Sequence, residues 1–173
     1  DKQISENILT NLFSGYEKQK DLLLITASTD TSGIAKGTLK DDLEKLTKDT
    51  FTSQLSAPKL KILLDSIPGE IEYMDGLKSV QTEPRKTFYA LKDKNYLPNL
   101  TKEQRDKINK EAVLAIRPQL NTEWENYKAT IAAGKEPLPF DFDLAKEIFN
   151  VRVSEKMIEE DTFTKDRVTN NAV

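Results

Sequence analysis

Apolar side chains recur every three or four residues along almost the whole chain, and no stretch alternates apolar with polar between turn signals. That spacing restricts the fold to helices. Ile4, Ile8, Leu12, Tyr16 and Leu23, with Leu9 and Phe13 beside them, predict a first helix over about 3–25. The small polar run Thr26-Ala-Ser-Thr-Asp-Thr-Ser-Gly33 then reads as a loop. Thr38 is placed to cap a second helix, with Asp41 and Asp42 near its positive end and Leu39, Leu43 and Leu46 as its stripe. Phe51 and Leu55 continue that stripe less regularly.

Ser56-Ala-Pro-Lys starts a third helix, with a serine cap and a proline in the first turn, where its missing N–H costs nothing. Leu60, Leu63, Leu64, Ile67, Ile71 and Met74 stay in phase through Pro68-Gly69, as one kinked helix or two abutting ones. Thr82-Glu-Pro repeats the cap-then-proline device ahead of Phe88, Tyr89 and Leu91. Asn95 to Leu100 reads as a loop, and Thr101-Lys-Glu-Gln104 matches a capping box. Ile108, Ala112, Ala115 or Ile116, Leu120, Trp124, Tyr127 and Ile131 carry the longest helix to Gly134, with Pro118 expected to kink it near Leu114 to Arg117.

Beyond Gly134, Pro137 and Pro139 keep the chain extended, which would turn Phe140 and Phe142 to one side as a strap against the helices. Leu144, Ile148 and Phe149 predict a short helix capped by one of the neighbouring aspartates. Ser154 would cap another, and the polar tail 162–173 would fray. The resulting expectation is an all-α fold: an up-down-up-down four-helix bundle over 1–134, with a small, partly flexible C-terminal annex over 135–173.

Composition narrows the chemistry. The 173 residues include neither cysteine nor histidine, which removes thiolate nucleophiles, disulfides, histidine bases and most transition-metal sites. Any catalysis would fall to carboxylates, lysine, serine, threonine or tyrosine, and the expectation is that the chain is not an enzyme. Acidic residues outnumber basic ones by 29 to 26, a balance that argues against general nucleic-acid binding. The richest apolar run, Leu22 to Ile25, is far short of the roughly 20 residues that span a bilayer. The chain begins at Asp1 rather than methionine, which is read as removal of an upstream segment, a targeting presequence among the explanations.

Several short patterns resemble chemical motifs and depart from them in detail. Asp30-Thr-Ser-Gly33 has Ser32 where the aspartic-protease signature needs glycine, and that mechanism needs two such aspartates held together. Gly33-Ile-Ala-Lys-Gly-Thr38 puts its lysine before the second glycine, whereas a phosphate loop has it after. Asp141 and Asp143 alternate with phenylalanines and lack the further oxygen donors of a calcium loop. Asn99-Leu-Thr101 is a glycosylation sequon whose threonine already serves as a helix cap. Trp124 and Tyr127 lie on the apolar stripe and read as core. No catalytic, cofactor or metal residue is assigned. The candidate partner-binding residues are Lys36, Lys40, Lys45, Lys48, Lys59 and Lys61, interspersed with Asp41, Asp42, Glu44, Asp49 and Asp65.

In helix lengths, lysine-rich amphipathic character and proline-marked entries, three segments resemble the PsbQ-like extrinsic proteins of photosystem II, especially the diatom-type extrinsic subunit. They are KGTLKDDLEKLTKDTF, GEIEYMDGLKSVQTEPRKTFYALK and TKEQRDKINKEAVLAIRPQLNTEWENYKATIAA, within an overlay of roughly residues 3–133. The resemblance transfers no contact residue. It implies a non-catalytic, monomeric protein of the thylakoid lumen that docks electrostatically on photosystem II core subunits and helps retain calcium and chloride for oxygen evolution. The alternatives are a secreted or periplasmic bacterial helical binding protein, and a carboxylate-dependent hydrolase using a pair such as Asp141 and Asp143.

Overall fold

A computed structural model describes residues 2–154. Among them lie α1 (Lys2–Thr29), α2 (Ile34–Phe51), α3 (Ala57–Thr82), α4 (Pro84–Ala90), α5 (Lys102–Ala132) and α6 (Phe142–Ser154), and no strand. The helix expected after Ser154 and the tail 162–173 lie outside the described residues.

Most helices fall where the apolar spacing puts them, and the differences at their ends have local causes. Helix α1 runs on to Thr29 because the hydroxyls of the supposed loop bond backward: Ser28 and Thr29 donate to the Ile25 carbonyl, each at 2.9 Å. A hydroxyl satisfied in this way no longer competes with the helix. Helix α2 starts at Ile34, so Thr38 is inside it and donates to Asp42 at 2.9 Å rather than capping. Ser56 is the N-cap residue of α3 by position but makes no side-chain cap bond. Thr82 is the last residue of α3, and Glu83, with φ −138°, is the joint that sets Pro84 at the start of α4.

Pro68-Gly69 interrupts nothing: α3 is one helix. Its glycines serve packing instead. A Cβ on Gly69 would lie 2.7 Å from the Asn99 carbonyl oxygen, and one on Gly76 would lie 2.5 Å from Ile108 Cδ1. Glycine therefore lets α3 approach the α4–α5 loop and α5 more closely than any other residue would. Arg105 ties down the same loop, donating to the carbonyls of Leu91, Tyr96 and Leu97 at 3.0, 2.6 and 2.9 Å. The predicted capping box is present in full, with Gln104 N–H to Thr101 Oγ1 at 3.1 Å and Thr101 N–H to Gln104 Oε1 at 3.0 Å. Pro118 lies within the unbroken α5.

The buried residues form two cores joined through α3. Helix α1 packs on α2 and α3, and α2 on α3, around Ala27, Leu39, Leu43 and Ile67. Toward its C-terminal half, α3 packs on α4 and α5 around Val80, Phe88, Ile108 and Ile116. Helix α6 joins this second core: Leu144, Ala145 and Ile148 are fully buried with Leu120 and Trp124.

A buried polar link joins α1 to the C-terminal end of α2. Thr47 donates to the Leu43 carbonyl at 2.7 Å, which leaves its oxygen to accept from the Tyr16 hydroxyl at 3.0 Å. Both residues are buried, and the Tyr16 and Phe13 rings pack on Phe51 at 4.9 and 4.5 Å. Nearby, Lys20 of α1 sits between Glu17 and Glu70, at 2.9 and 3.3 Å. Burial would lower its pKa, but the bond to Glu17 and the charge of Glu70 outweigh that and raise it.

Candidate functional site

The end of α5 has the geometry from which a site can be built. Gly134, at φ 70°, ends the helix, with its own N–H on Ile131 O at 3.0 Å and the N–H of Lys135 on Thr130 O at 3.1 Å. This is the paired arrangement that a left-handed glycine permits. The chain then runs without helix to Asp141, whose Oδ1 accepts the Leu144 N–H at 2.9 Å and so caps α6. Phe140 and Phe142 do face the same body: with Trp124 and Tyr127 they form an aromatic cluster with ring centroids 5.0 to 6.1 Å apart. Trp124 and Tyr127 are stacked core residues, as their place on the apolar stripe predicts.

Between α4, the last turns of α5 and this strap is a cleft of about 290 Å³. Arg85, Glu123, Asn126, Tyr127, Leu138 and Asp141 are among its lining residues. Arg85 and Glu123 pair across it at 2.6 Å. Leu138 is 86% exposed at its rim. Alongside, Tyr89 has its phenol pushed up by burial first and then by the charges of Asp141 and Glu147. A second groove, about 410 Å³, lies between α1 and α3 and is lined by Leu24, Tyr73, Met74 and Leu77, with Lys78 donating across it to the Ser28 carbonyl at 2.7 Å.

Two of the three aspartates of the suggestive motifs, Asp30 and Asp141, have structural duties. Asp30 organises the α1–α2 turn, accepting the Ser32 hydroxyl and N–H at 2.6 and 2.9 Å and the Ala35 N–H at 2.8 Å. These bonds, the Ser32 hydroxyl foremost, hold its pKa below the ordinary 3.8. Asp143 is exposed on the first turn of α6. Among the described residues no group of three acidic, histidine or cysteine side chains could hold a metal ion. Asn99 of the sequon is engaged too: its N–H and side-chain amide donate to Glu72 at 2.7 and 2.8 Å.

All six candidate docking lysines are exposed. Lys36 reaches across to Asp75 on α3 at 2.7 Å, and Lys61 pairs with Asp65 one turn on at 2.6 Å. Lys40, Lys45, Lys48 and Lys59 have no ion pair among the described residues. At 3.6 residues per turn, Lys45 and Lys48 share the side of α2 away from Leu43 and Thr47, whereas Lys36 and Lys40 lie toward the α3 side. Lys59 and Lys61, two residues apart in the first turns of α3, point apart.

No protein-family model, curated protein or solved structure matches this chain. Among the described residues, no helix is long and apolar enough to cross a membrane.

Three features of these sites escape a reading by residue type. The Asp30 cap acts from five residues before Ala35, outside the usual capping spacing. The Arg105 bonds join a helix to a loop that periodicity leaves blank. The cleft exists only because the strap folds back on α5; the paired prolines signal the strap but not its direction.

Proposed function

We propose that this chain is a non-catalytic helical subunit that docks by electrostatics on the lumenal face of a membrane protein complex. In the terms of the resemblance, that complex is photosystem II, the compartment is the thylakoid lumen, and the role is support of oxygen evolution by helping to retain calcium and chloride. The long helices α1, α2, α3 and α5 would follow one another up-down-up-down, with the segment from 135 onward as an annex, and the free protein would be a monomer.

The observation that carries this reading is that four of the six candidate lysines, Lys40, Lys45, Lys48 and Lys59, are exposed and have no ion pair among the described residues. Exposed ammonium groups on α2 and at the start of α3 are available to an acidic partner, where they set encounter rate and orientation more than raw affinity. Asp30 and one oxygen of Asp141 are engaged in a turn and a cap, and neither is paired with a second carboxylate among the described residues, which favours docking over hydrolysis. The test is a salt wash of thylakoid membranes that carry the protein. Release at high salt and rebinding on return to low salt are expected, because screening shortens the reach of surface charges to about 10 Å at 0.1 M. Retention through the salt wash would count against the reading.

A further inference from the structure

We infer that the cleft between α4, α5 and the strap is a binding site for a small primary amine with a short aliphatic body. Its volume, about 290 Å³, suits a ligand of a few heavy atoms. The polar groups around it decide the sign of the ligand's charge. Arg85 is the cationic group of the lining and is paired with Glu123 at 2.6 Å, so the pair is neutral and Asp141 leaves the lining net negative. Asp141 spends Oδ1 on the Leu144 N–H, and its other oxygen has no hydrogen bond among the described residues. The Tyr127 hydroxyl and the Asn126 side-chain amide, both in the lining, are likewise without hydrogen bonds among the described residues. Three acceptors thus belong to the lining of one cleft, where one guanidinium is outnumbered by two carboxylates, a composition that suits an ammonium with three donors.

The rest of the lining suits the ligand's other end. The apolar part of the lining comes from Leu138, 86% exposed, from Pro139 and from the Tyr127 ring. An aliphatic chain laid between them would cover surface that the protein leaves to water. Tyr89 reports the same local field, since Asp141 and Glu147 both push its phenol upward after burial does. This inference is independent of the docking reading, which concerns α2 and the start of α3.

Trp124 supplies the readout. It is the single tryptophan of the chain, and its ring stacks on Tyr127 at 5.6 Å. Three probes of equal length should be titrated against its fluorescence: pentylamine, pentanol and pentanoate. Pentylamine is expected to saturate with a dissociation constant on the order of 1 mM, reasonable for so small a ligand. Pentanol and pentanoate should bind at least about tenfold more weakly, the scale of a lost charge-assisted bond. Asp141→Asn should weaken pentylamine by about tenfold while keeping α6, because asparagine caps as well as aspartate. Tyr127→Phe keeps the ring and should weaken it by a few fold. No saturation by pentylamine, equal binding of pentanoate, or undiminished binding to an Asp141→Asn protein that retains its helix content would each overturn the inference.

Discussion

At the scale of single residues, Gly69 gives the clearest opposition between local preference and packing. Helix propensity alone says that Gly69→Ala should stabilise α3 by about 1 kcal/mol. The added methyl would lie 2.7 Å from a backbone carbonyl that Glu72 also helps to fix through Asn99, so overpacking should win. The expected outcome is a loss of about 1–3 kcal/mol in a urea denaturation curve, and a gain would show that the loop can move aside. Tyr16→Phe should cost about 1 kcal/mol by the same measurement, the net worth of one buried hydrogen bond, because Thr47 keeps its bond to Leu43. Asp30 makes a prediction in pH. Its folded pKa is depressed, so its stabilising contribution is present above 3.8 and is lost as pH falls through the lower folded value. Asp30→Asn should therefore lower the melting temperature at neutral pH, and the difference from the parent protein should shrink in acid below 3.8.

At the scale of elements, the sequence is legible where a signal is both local and periodic. The capping box at Thr101, the glycine stop at 134 and the stripe from Ile108 to Trp124 all stand where spacing puts them. Misplaced ends share one cause: serine and threonine are ambiguous. Ser28 and Thr29 bond back into α1 and lengthen it, while Thr38 and Ser56 occupy cap-like places without capping. Pro68-Gly69 looks like a break because its gain, close approach to the loop at Asn99, is a tertiary fact. The strap was legible in part: its prolines keep the chain out of helix to Asp141, but Phe142 is already the first residue of α6, so its place beside Phe140 does not come from extended alternation. Phe140→Ala with Phe142→Ala should remove two of four rings from the cluster with Trp124 and Tyr127. Limited proteolysis should then cut at the strap while far-ultraviolet circular dichroism keeps most of its helical signal. Unchanged protection would mean that Leu144 and Ile148 hold α6 without help.

At the scale of the whole molecule, α3 carries both cores, one shared with α1 and α2 and the other with α4, α5 and α6. The proposed docking lysines belong to the first core's surface, and the amine cleft to the second. Composition could foresee this separation of charge from cleft only in part, because it counts lysines without saying which of them find a partner. Lys36 and Lys61 do, and neutralising them should chiefly remove surface ion pairs worth about 1 kcal/mol or less. Lys40, Lys45, Lys48 and Lys59 have no ion pair among the described residues, and the docking proposal rests on them. The most direct measurement is rebinding to salt-washed thylakoid membranes at low ionic strength by a protein with these four lysines changed to glutamine. The variant, folded as the parent is, should rebind far less, and the remaining binding should depend less steeply on salt. Rebinding at the parent's level with the same salt dependence would contradict it.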